Sequence, residues 1–157
     1  MEQKTNAMRR LDAKKIPYTA HSLGCDEPMS ATELAHRLNK AEGRVFKTLV
    51  TEGKSGSHYV FVIPSNTELD LKKAARAAGE KSISMLLQKN LLPLTGYVHG
   101  GCSPIGMKKL FPTFLHESAK GFDTIFFSAG RIGCQIETSP DGLLQVVPYK
   151  LCDLVVD

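Results

Sequence analysis

The fold is decided by residues 44–63, which read RVFKTLVTEGKSGSHYVFVI. The two ends of this stretch, 44–51 and 58–63, are rich in β-branched and aromatic residues and predict two strands. The segment between them, 53–57, contains only glycine, serine and lysine and predicts the turn of a hairpin. Because both faces of the first strand carry apolar residues, we expect that strand to lie inside a sheet.

Lys47 stands in the middle of the first strand. Side chains alternate between the two faces of a strand, so Lys47 shares a face with Val45 and Leu49. An ammonium group is almost never fully buried without a partner. Lys47 can therefore be a charged residue that protects an exposed strand edge, or a lysine that lines a pocket and holds an anionic or carbonyl oxygen. The pattern alone leaves both interpretations open.

Helical and strand patterns alternate along the rest of the chain. Helices are predicted at 5–15, 30–38, 69–78 and 84–90, and a last helix is predicted to begin at 139–141. Further strands are predicted at 16–23, 97–99, 113–116, 124–128, 134–137 and 152–156. The alternation favours an α/β protein with a mixed sheet that curls on itself. The helix at 30–38 has the clearest start, because Ser30 and Glu33 have the spacing of a capping box.

The composition is that of a globular protein. At 157 residues, with 42% hydrophobic and 23% charged residues, the chain fits one domain with its own core, which we expect to span residues 1–157. No apolar run approaches the ~20 residues that span a bilayer, and residues 1–15 lack the apolar centre of a signal peptide. We therefore expect a cytoplasmic protein that does not enter a membrane.

Cysteine and histidine residues are scattered. The cysteines stand at Cys25, Cys102, Cys134 and Cys152, with no C-x-x-C pair. None of the five histidines has zinc-ligand spacing to another histidine or to a cysteine pair. We expect reduced thiols, no metal and no cofactor.

The charge is mildly basic, with a formal net value of +4. The basic residues include four doublets: Arg9-Arg10, Lys14-Lys15, Lys72-Lys73 and Lys108-Lys109. Each doublet is typical of a solvated surface. If several of them share one face of the fold, they form a patch that can follow an RNA backbone.

Residues 100–106, GGCSPIG, form a glycine-rich loop. Glycines allow a ligand to approach the backbone and use its N–H groups, and such donors stabilise a developing oxyanion in acyl chemistry. The alternative is a tight connection between two elements. The loop is not a phosphate loop, since G-x-x-x-x-G-K-[ST] and G-x-G-x-x-G are both absent.

A second glycine-containing turn, 128–133, begins at Ser128. This serine can be a site residue or a turn former. The chain has no G-x-S-x-G nucleophile elbow, so no serine hydrolase site is predicted.

Several of these segments occur together in one order along the chain. They are 45–49 (VFKTL), 69–73 (LDLKK), 95–97 (TGY), the pattern G-G-x-S-P-x-G-x-K-K at 100–109, 112–113 (PT), and S-x-G-x-x-G at 128–133. This ordered set resembles the YbaK/EbsC branch of the prolyl-tRNA editing superfamily over residues 16–155. Each motif alone is weak, whereas the ordered set is specific.

The resemblance implies a mixed α/β fold with a barrel-like central sheet and an aminoacyl-tRNA deacylase that acts in trans, chiefly on cysteine attached to tRNA(Pro). The partners it implies are the acceptor end of aminoacyl-tRNA and, for some members, prolyl-tRNA synthetase. Lys47 matches the essential lysine of the family. The residues that match its pocket positions are Thr48, Gly100, Ser103 and Ser128.

The mechanism that this resemblance suggests needs no protein nucleophile. The sulfur of the substrate's cysteine attacks its own ester carbonyl and expels the ribose hydroxyl, so the protein supplies positioning and oxyanion stabilisation. Lys47 would anchor the terminal nucleotide or the carbonyl oxygen, and backbone N–H groups near Gly100 and Gly101 would orient the ester. Cys102 is then a bystander.

The chain departs from the family pattern at three positions that bear on the choice of amino acid. Leu23 stands where an aromatic residue is common, Met29 or Ser30 replaces another aromatic, and Gln135 replaces an acidic residue. The open alternatives are a deacylase for Ala-tRNA or Ser-tRNA and a non-catalytic module that binds tRNA or a synthetase.

Overall fold

A computed structural model describes residues 4–24 and 27–157. Its α-helices are α1 (Asn6–Ala13), α2 (Ala31–Leu38), α3 (Leu71–Ala78), α4 (Gln88–Thr95) and α5 (Pro140–Val146). Its strands are β1 (Thr19–Ser22), β2 (Phe46–Gly53), β3 (His58–Pro64), β4 (Ile83–Met85), β5 (Thr113–His116), β6 (Ile125–Arg131), β7 (Cys134–Thr138) and β8 (Tyr149–Cys152). The mixed α/β class is confirmed.

The larger sheet has five strands in the order β4-β2-β3-β5-β8. The hairpin predicted at its centre is confirmed: β2 and β3 pair antiparallel, with Phe46 opposite Pro64 and Thr48 opposite Val62. β3–β5 and β5–β8 are parallel pairs. β2 lies between two neighbours, as its apolar faces predict, although β4 pairs only with its last residues, Thr51–Gly53.

The smaller sheet has three strands in the order β1-β7-β6. An isolated parallel bridge between Val45 and Phe126 joins it to the larger sheet, beside the start of β2. In the described part of the chain neither ladder closes on itself, so the barrel-like form is not confirmed. The three-residue strand β4 ends one edge of the larger sheet and β8 ends the other.

Both faces of the larger sheet are covered, which explains the continuous apolar run in β3. Val60 and Val62 pack in the cluster shared with the smaller sheet, whereas Phe61 and Ile63 pack in a second cluster with residues of α3. A sheet buried on both faces needs apolar residues at every position rather than at alternate ones. Each such side chain contributes about 1.5–3 kcal/mol when fully buried.

Three predicted elements differ from the structure. The helix predicted at 84–90 is wrong at its start: Ile83–Met85 pairs with β2, and the helix runs over Gln88–Thr95. Pairing with an open sheet edge outweighs local helix propensity here. The helix also continues through Pro93 before it ends at Gly96, whose φ is +88°.

The strands predicted at 97–99 and 152–156 are also wrong. Residues 97–99 form no ladder, because the buried Tyr97 donates its N–H to Thr95 Oγ1 and its hydroxyl to the Ile105 carbonyl. The last strand lies earlier, at Tyr149–Cys152, where β5 determines its register. Among the described residues no helix is long and apolar enough to cross a membrane.

Candidate functional site

A cleft of about 310 Å³ opens where the start of β2 meets the glycine-rich loop and the turn between β6 and β7. Its walls come from segments far apart in the sequence. The lining residues are Pro28, Met29, Leu34, Phe46, Lys47, Thr48, Leu49, Ser65, Leu91, His99, Gly100, Cys102, Ser128, Ile132, Gly133 and Gln135. The structure thus brings together five of the nine predicted site residues: Lys47, Thr48, Gly100, Ser128 and Gln135.

Lys47 is the single lysine or arginine among the described residues that line the cleft. It is half-buried, and it makes no hydrogen bond or ion pair with any described residue. Burial lowers the pKa of its ammonium group, and the charge of Glu68 opposes that shift in part. A partly desolvated ammonium without a partner is stabilised by a ligand oxygen that carries negative charge.

Two polar atoms of the cleft are buried without a hydrogen bond to any described residue. They are Thr48 Oγ1 and Gln135 Oε1. The backbone of Gln135 is held in β7 between Ser128 and His21, and only 6% of the residue is exposed. Buried polar atoms in native proteins are almost always paired with protein or ordered water, so these two atoms are the acceptors of the cleft that water or a ligand would have to satisfy.

Gly100 brings backbone to the surface of the cleft. Its φ is +86°, and a Cβ built on it would meet Pro28 Cγ at 2.8 Å. The conformation and the contact both require glycine. The Gly100 N–H donates to no described residue, so no protein acceptor competes for it.

Gly101 has a different position. It does not line the cleft, and its N–H donates to the Val98 carbonyl at 3.0 Å. A Cβ on Gly101 would lie 3.0 Å from the backbone nitrogen of Ile132. Gly101 therefore lets the loop pack closely on the β6–β7 turn, and its N–H is not available to orient an ester.

The two predicted serines of the pocket behave differently from each other. Ser103 is fully buried outside the cleft, where its hydroxyl accepts a hydrogen bond from the Ile105 N–H. Ser128 lines the cleft at the start of the β6 bulge. Its hydroxyl accepts from the Gly130 N–H at 3.1 Å, which leaves the hydroxyl proton for a ligand.

Leu23 and Ser30 also lie outside the cleft lining. The Leu23 N–H donates to the Gly133 carbonyl at 2.7 Å. Ser30 caps α2 by accepting a hydrogen bond from the Glu33 N–H at 3.1 Å, so the predicted cap is confirmed. Of the two candidates for the missing aromatic residue, Met29 is the one that lines the cleft.

Cys102 lines the cleft with a buried thiol. Burial raises the pKa of its thiol to about 12, so the sulfur keeps its proton near neutral pH, whereas the thiolate is the reactive form. Burial likewise raises the pKa of the Cys152 thiol. Cys25 lies outside the described residues. Within the described residues no group of three or more His, Cys, Asp or Glu side chains is arranged to hold a metal ion.

Sequence reasoning missed His99 and Leu91 as lining residues. His99 stands directly before the glycine pair, so its position in the sequence was a usable signal. Leu91 lies in α4 beyond the predicted end of that helix, at 90. With Ile132 and Leu34 it forms an apolar wall that no local pattern reveals.

The cleft thus offers one ammonium group, an amide oxygen, a hydroxyl oxygen and a backbone N–H that have no partner among the described residues, against an apolar wall. Residues 26–146 match the family model described as an aminoacyl-tRNA editing domain. The chain belongs to this family.

A curated relative supports the same branch of the editing family. The chain is 49% identical over 154 residues to the proposed Cys-tRNA(Pro)/Cys-tRNA(Cys) deacylase EbsC of Enterococcus faecalis, covering 98% of this chain and 94% of that protein. A proline–tRNA ligase of Thermosipho melanesiensis is 29% identical over 110 residues, which are 62% of this chain and 19% of the ligase. The resemblance found in the ordered motifs and the assignment to the aminoacyl-tRNA deacylases are confirmed by these likenesses.

Solved structures support the fold of the editing domain. A proposed trans-editing enzyme for prolyl-tRNA synthetase aligns with a TM-score of 0.84 at 24% identity, over 99% of this chain and 100% of that one. The protein APE2540 aligns with a TM-score of 0.88 at 20% identity, over 97% of this chain and all of that chain. At these identities the likeness establishes the architecture alone.

Proposed function

We propose that this editing-domain protein is a free-standing deacylase that removes cysteine from mischarged tRNA, chiefly from tRNA(Pro) and also from tRNA(Cys). The observation that carries the proposal is the partly desolvated ammonium of Lys47 beside two buried oxygens in one cleft, none of which has a hydrogen-bond partner among the described residues. The name of the 49%-identical relative supports the choice of substrate. We propose that residues 1–157 act as one editing domain in the cytoplasm, where tRNA is charged.

The reaction proceeds without a protein nucleophile. The substrate's thiol sulfur attacks its own ester carbonyl carbon, the bond from that carbon to the ribose oxygen breaks, and the thiol proton passes to the ribose oxygen. The product is a four-membered thiolactone, which water opens to free cysteine. The protonated thiol of Cys102 supports this route, since it leaves the cleft without a nucleophilic thiolate.

Each polar group of the cleft has a role in this step. The Lys47 ammonium holds the terminal nucleotide or the ester carbonyl oxygen, and the Gly100 N–H stabilises the oxyanion that forms on that oxygen. The Gln135 Oε1 atom accepts a hydrogen bond from the α-ammonium group of the amino acid. The hydroxyl groups of Thr48 and Ser128 supply the remaining hydrogen bonds to the substrate. Positioning of the sulfur near the carbonyl is the main source of acceleration.

Four of the predicted residues shape the cleft without lining it: Gly101, Ser103, Leu23 and Ser30. Gly101 and Ser103 maintain the shape of the loop, Leu23 pairs with the β6–β7 turn, and Ser30 begins the helix that carries Leu34. We propose positioning roles for all four.

The decisive experiment measures loss of the amino acid from Cys-tRNA(Pro), Cys-tRNA(Cys), Ala-tRNA, Ser-tRNA and Pro-tRNA. We expect cleavage of both Cys-tRNAs, no cleavage after Lys47→Ala, and full activity after Lys54→Ala, which removes an exposed lysine from the adjacent hairpin turn. Cleavage of Ala-tRNA but not of Cys-tRNA would show that the thiol plays no part. No cleavage of any substrate would leave a non-catalytic binding module.

A second candidate specificity rests on Gln135. A neutral amide in place of an acidic residue attracts the α-ammonium group less strongly, which favours a deacylase for Ala-tRNA or Ser-tRNA that recognises its substrate by size. The substrate comparison above separates the two, and Gln135→Glu tests the cause.

Association with prolyl-tRNA synthetase is a further part of the proposal. It is supported by the similarity to a segment of a proline–tRNA ligase, because a separate chain that resembles a synthetase domain can act beside a synthetase. Co-sedimentation of the protein with prolyl-tRNA synthetase, with and without tRNA(Pro), tests it.

A further inference from the structure

A second groove, of about 440 Å³, lies between α1 and residues 104–111. Arg10 and Lys14 line it from the helix and its C-terminal end, and Lys108 and Lys109 line it from the opposite side. None of the residues that line it is acidic. The groove is therefore a positively charged channel with Ile105 and other apolar residues in its walls.

Three of the four basic doublets contribute at least one side chain to this groove. They are Arg9-Arg10, Lys14-Lys15 and Lys108-Lys109. In the fourth doublet, Lys73 forms ion pairs within the chain. Its Nζ atom lies 2.8 Å from Asp153 and 2.9 Å from Asp157, and it also donates to the Val155 carbonyl. The charge of Lys73 is thus neutralised by carboxylates of the same chain. The positive charges of the groove are not neutralised in this way.

The cations of the groove have no ionic partner among the described residues. Lys14 Nζ donates to the Gln145 carbonyl at 2.8 Å, and Lys108 Nζ donates to the Pro93 carbonyl at 3.3 Å. Both contacts orient an ammonium group without neutralising it. Arg10 and Lys109 are exposed and make no hydrogen bond or ion pair with a described residue. Four positive charges held in one groove favour a ligand with several negative charges along its length.

The glycine-rich loop connects this groove to the cleft. Gly100 and Cys102 line the cleft, and Pro104, Ile105 and Gly106 line the groove. From Gly100 to Pro104 the chain takes four steps of about 3.8 Å between Cα atoms, so the two backbone positions are at most about 15 Å apart. This separation is no more than the length of a few nucleotides, so the two sites border one loop at a spacing that an RNA strand can match.

We infer that the groove between α1 and residues 104–111 binds the sugar-phosphate backbone of the acceptor end of tRNA. The inference rests on the proposed function, because it identifies the polymer attached to the ester in the cleft. Contacts to phosphate position an RNA strand without reading its sequence. The groove thus supplies affinity for any tRNA, while the cleft selects the amino acid.

The test compares two double variants with the same loss of charge. Arg10→Gln/Lys109→Gln removes the two cations of the groove that make no hydrogen bond or ion pair with a described residue. Lys54→Gln/Lys72→Gln removes two exposed lysines outside the groove and is the matched control. Circular dichroism and thermal unfolding must be the same for both.

The first measurement is the affinity for an uncharged acceptor-stem RNA as a function of salt. Let K be the association constant for this RNA. We expect the slope of log K against log[salt] to fall in magnitude by about 2 for the groove variant. The slope for the control variant should stay at the wild-type value. Equal slopes for the two variants would overturn the inference. So would a groove variant that loses affinity for prolyl-tRNA synthetase and keeps its affinity for RNA.

The second measurement is deacylation of Cys-tRNA and of cysteinyl-adenosine, which carries the ester without any phosphate. The groove variant should raise KM several-fold for the tRNA, with kcat kept, and leave cleavage of cysteinyl-adenosine unchanged. If the wild-type protein cleaves neither substrate, the proposed function fails, and the RNA affinities still decide whether the groove binds RNA. If the groove variant raises KM for both substrates equally, the groove has no separate role.

Discussion

The ring of Tyr97 lies directly on the backbone of Gly130: a Cβ built on Gly130 would be 2.8 Å from Tyr97 Cε1. Gly130 belongs to the bulge of β6, and the Tyr97 hydroxyl donates to the Ile105 carbonyl at 2.5 Å in the glycine-rich loop. One buried side chain therefore couples the two turns that frame the cleft. Burial raises the pKa of Tyr97 to about 12, so its hydroxyl remains a donor at every physiological pH.

Gly130→Ala should destabilise the protein and reduce deacylation. Its φ of +102° is strained for alanine and the new methyl group would displace the Tyr97 ring, so we expect a loss of about 1–3 kcal/mol in the free energy of unfolding. Deacylation should fall because Ser128 and Gly133 on either side of the bulge line the cleft. Urea unfolding and turnover of Cys-tRNA measure the two effects.

Gly56→Ala is the matched control for this prediction. Gly56 also has a positive φ, +92°, but a Cβ there would meet nothing within 4 Å. This variant should show the backbone strain alone and leave deacylation unchanged. If Gly56→Ala lowers turnover as much as Gly130→Ala does, contact with Tyr97 is not the cause.

Lys47→Met should stabilise the fold while it abolishes deacylation. The ammonium is partly desolvated and makes no hydrogen bond or ion pair with a described residue, and the attraction of Glu68 offsets the desolvation only in part, so an apolar side chain of similar length removes a net unfavourable interaction. Because Lys47 is half-exposed and solvent screens its charge, we expect a gain at the low end, about 0.5 kcal/mol. Thermal unfolding beside a turnover assay tests this, with Lys54→Met as an exposed control. A loss of stability would show that Lys47 has a favourable partner in the free protein.

Binding of substrate should weaken at alkaline pH. Burial lowers the pKa of Lys47 from 10.5, so its ammonium loses a proton at a lower pH than an ordinary lysine does, and any affinity that needs the charge falls as the pH rises through this lowered pKa. Titration calorimetry with an amide-linked cysteinyl-adenosine, between about pH 7 and about pH 10, follows the decline. The α-ammonium group and thiol of the ligand also titrate in this range, so both proteins should lose affinity, and Lys47→Arg, which retains its charge, should lose less. An equal decline in both proteins would assign the titration to another group.

Thr48→Val and Thr51→Val should have opposite consequences, although both threonines lie in β2. Thr48 Oγ1 is buried without a partner among the described residues, so its removal should leave stability unchanged or raise it and should increase KM. Thr51 Oγ1 donates to the Tyr59 carbonyl at 3.0 Å, so its removal should lower the free energy of unfolding by about 0.5–1.5 kcal/mol without changing KM. The same pattern in both variants would contradict the assignment of Thr48 to substrate.

Lys73→Gln should lower the melting temperature and leave deacylation unchanged. Its ion pairs with Asp153 and Asp157 tie α3 to the C-terminal segment, and they raise the pKa of Lys73 to about 12. The pKa of Lys73 is higher in the folded protein than in the unfolded one. The contribution of these ion pairs to stability is therefore complete below about pH 10.5 and is lost as the pH rises through about 12. The difference in melting temperature between the two proteins should therefore disappear at strongly alkaline pH. A difference independent of pH would point to packing by the lysine stem.

Local patterns along the chain were enough to predict the features that depend on near neighbours. The hairpin at 44–63, the cap at Ser30, the end of α3 at Gly79 and the α/β class all follow from the order of apolar, turn and capping residues. The order of the motifs also identified the editing family. These features are local because caps, turns and strand alternation involve residues only a few positions apart.

Which of those residues meet depends on packing between distant segments. Residues 83–85 form an edge strand, since the open edge of β2 offers hydrogen bonds that no local pattern shows. Gln135 lies in the cleft with Lys47, whereas Gly101 and Ser103 lie outside its lining, with the Gly101 N–H and the Ser103 hydroxyl oxygen hydrogen-bonded within the loop. Whether a polar atom has a partner depends on the register of distant strands, which local patterns do not contain.

The same holds for Lys47 and the basic doublets. The strand pattern allowed Lys47 to be an edge lysine or a pocket lysine, and the structure placed it in the cleft because the start of β2 meets the glycine-rich loop there. Three doublets separated by up to about a hundred residues line one groove only because α1 packs beside residues 104–111. Charge and chain order are properties of the sequence, whereas convergence on one face depends on long-range packing.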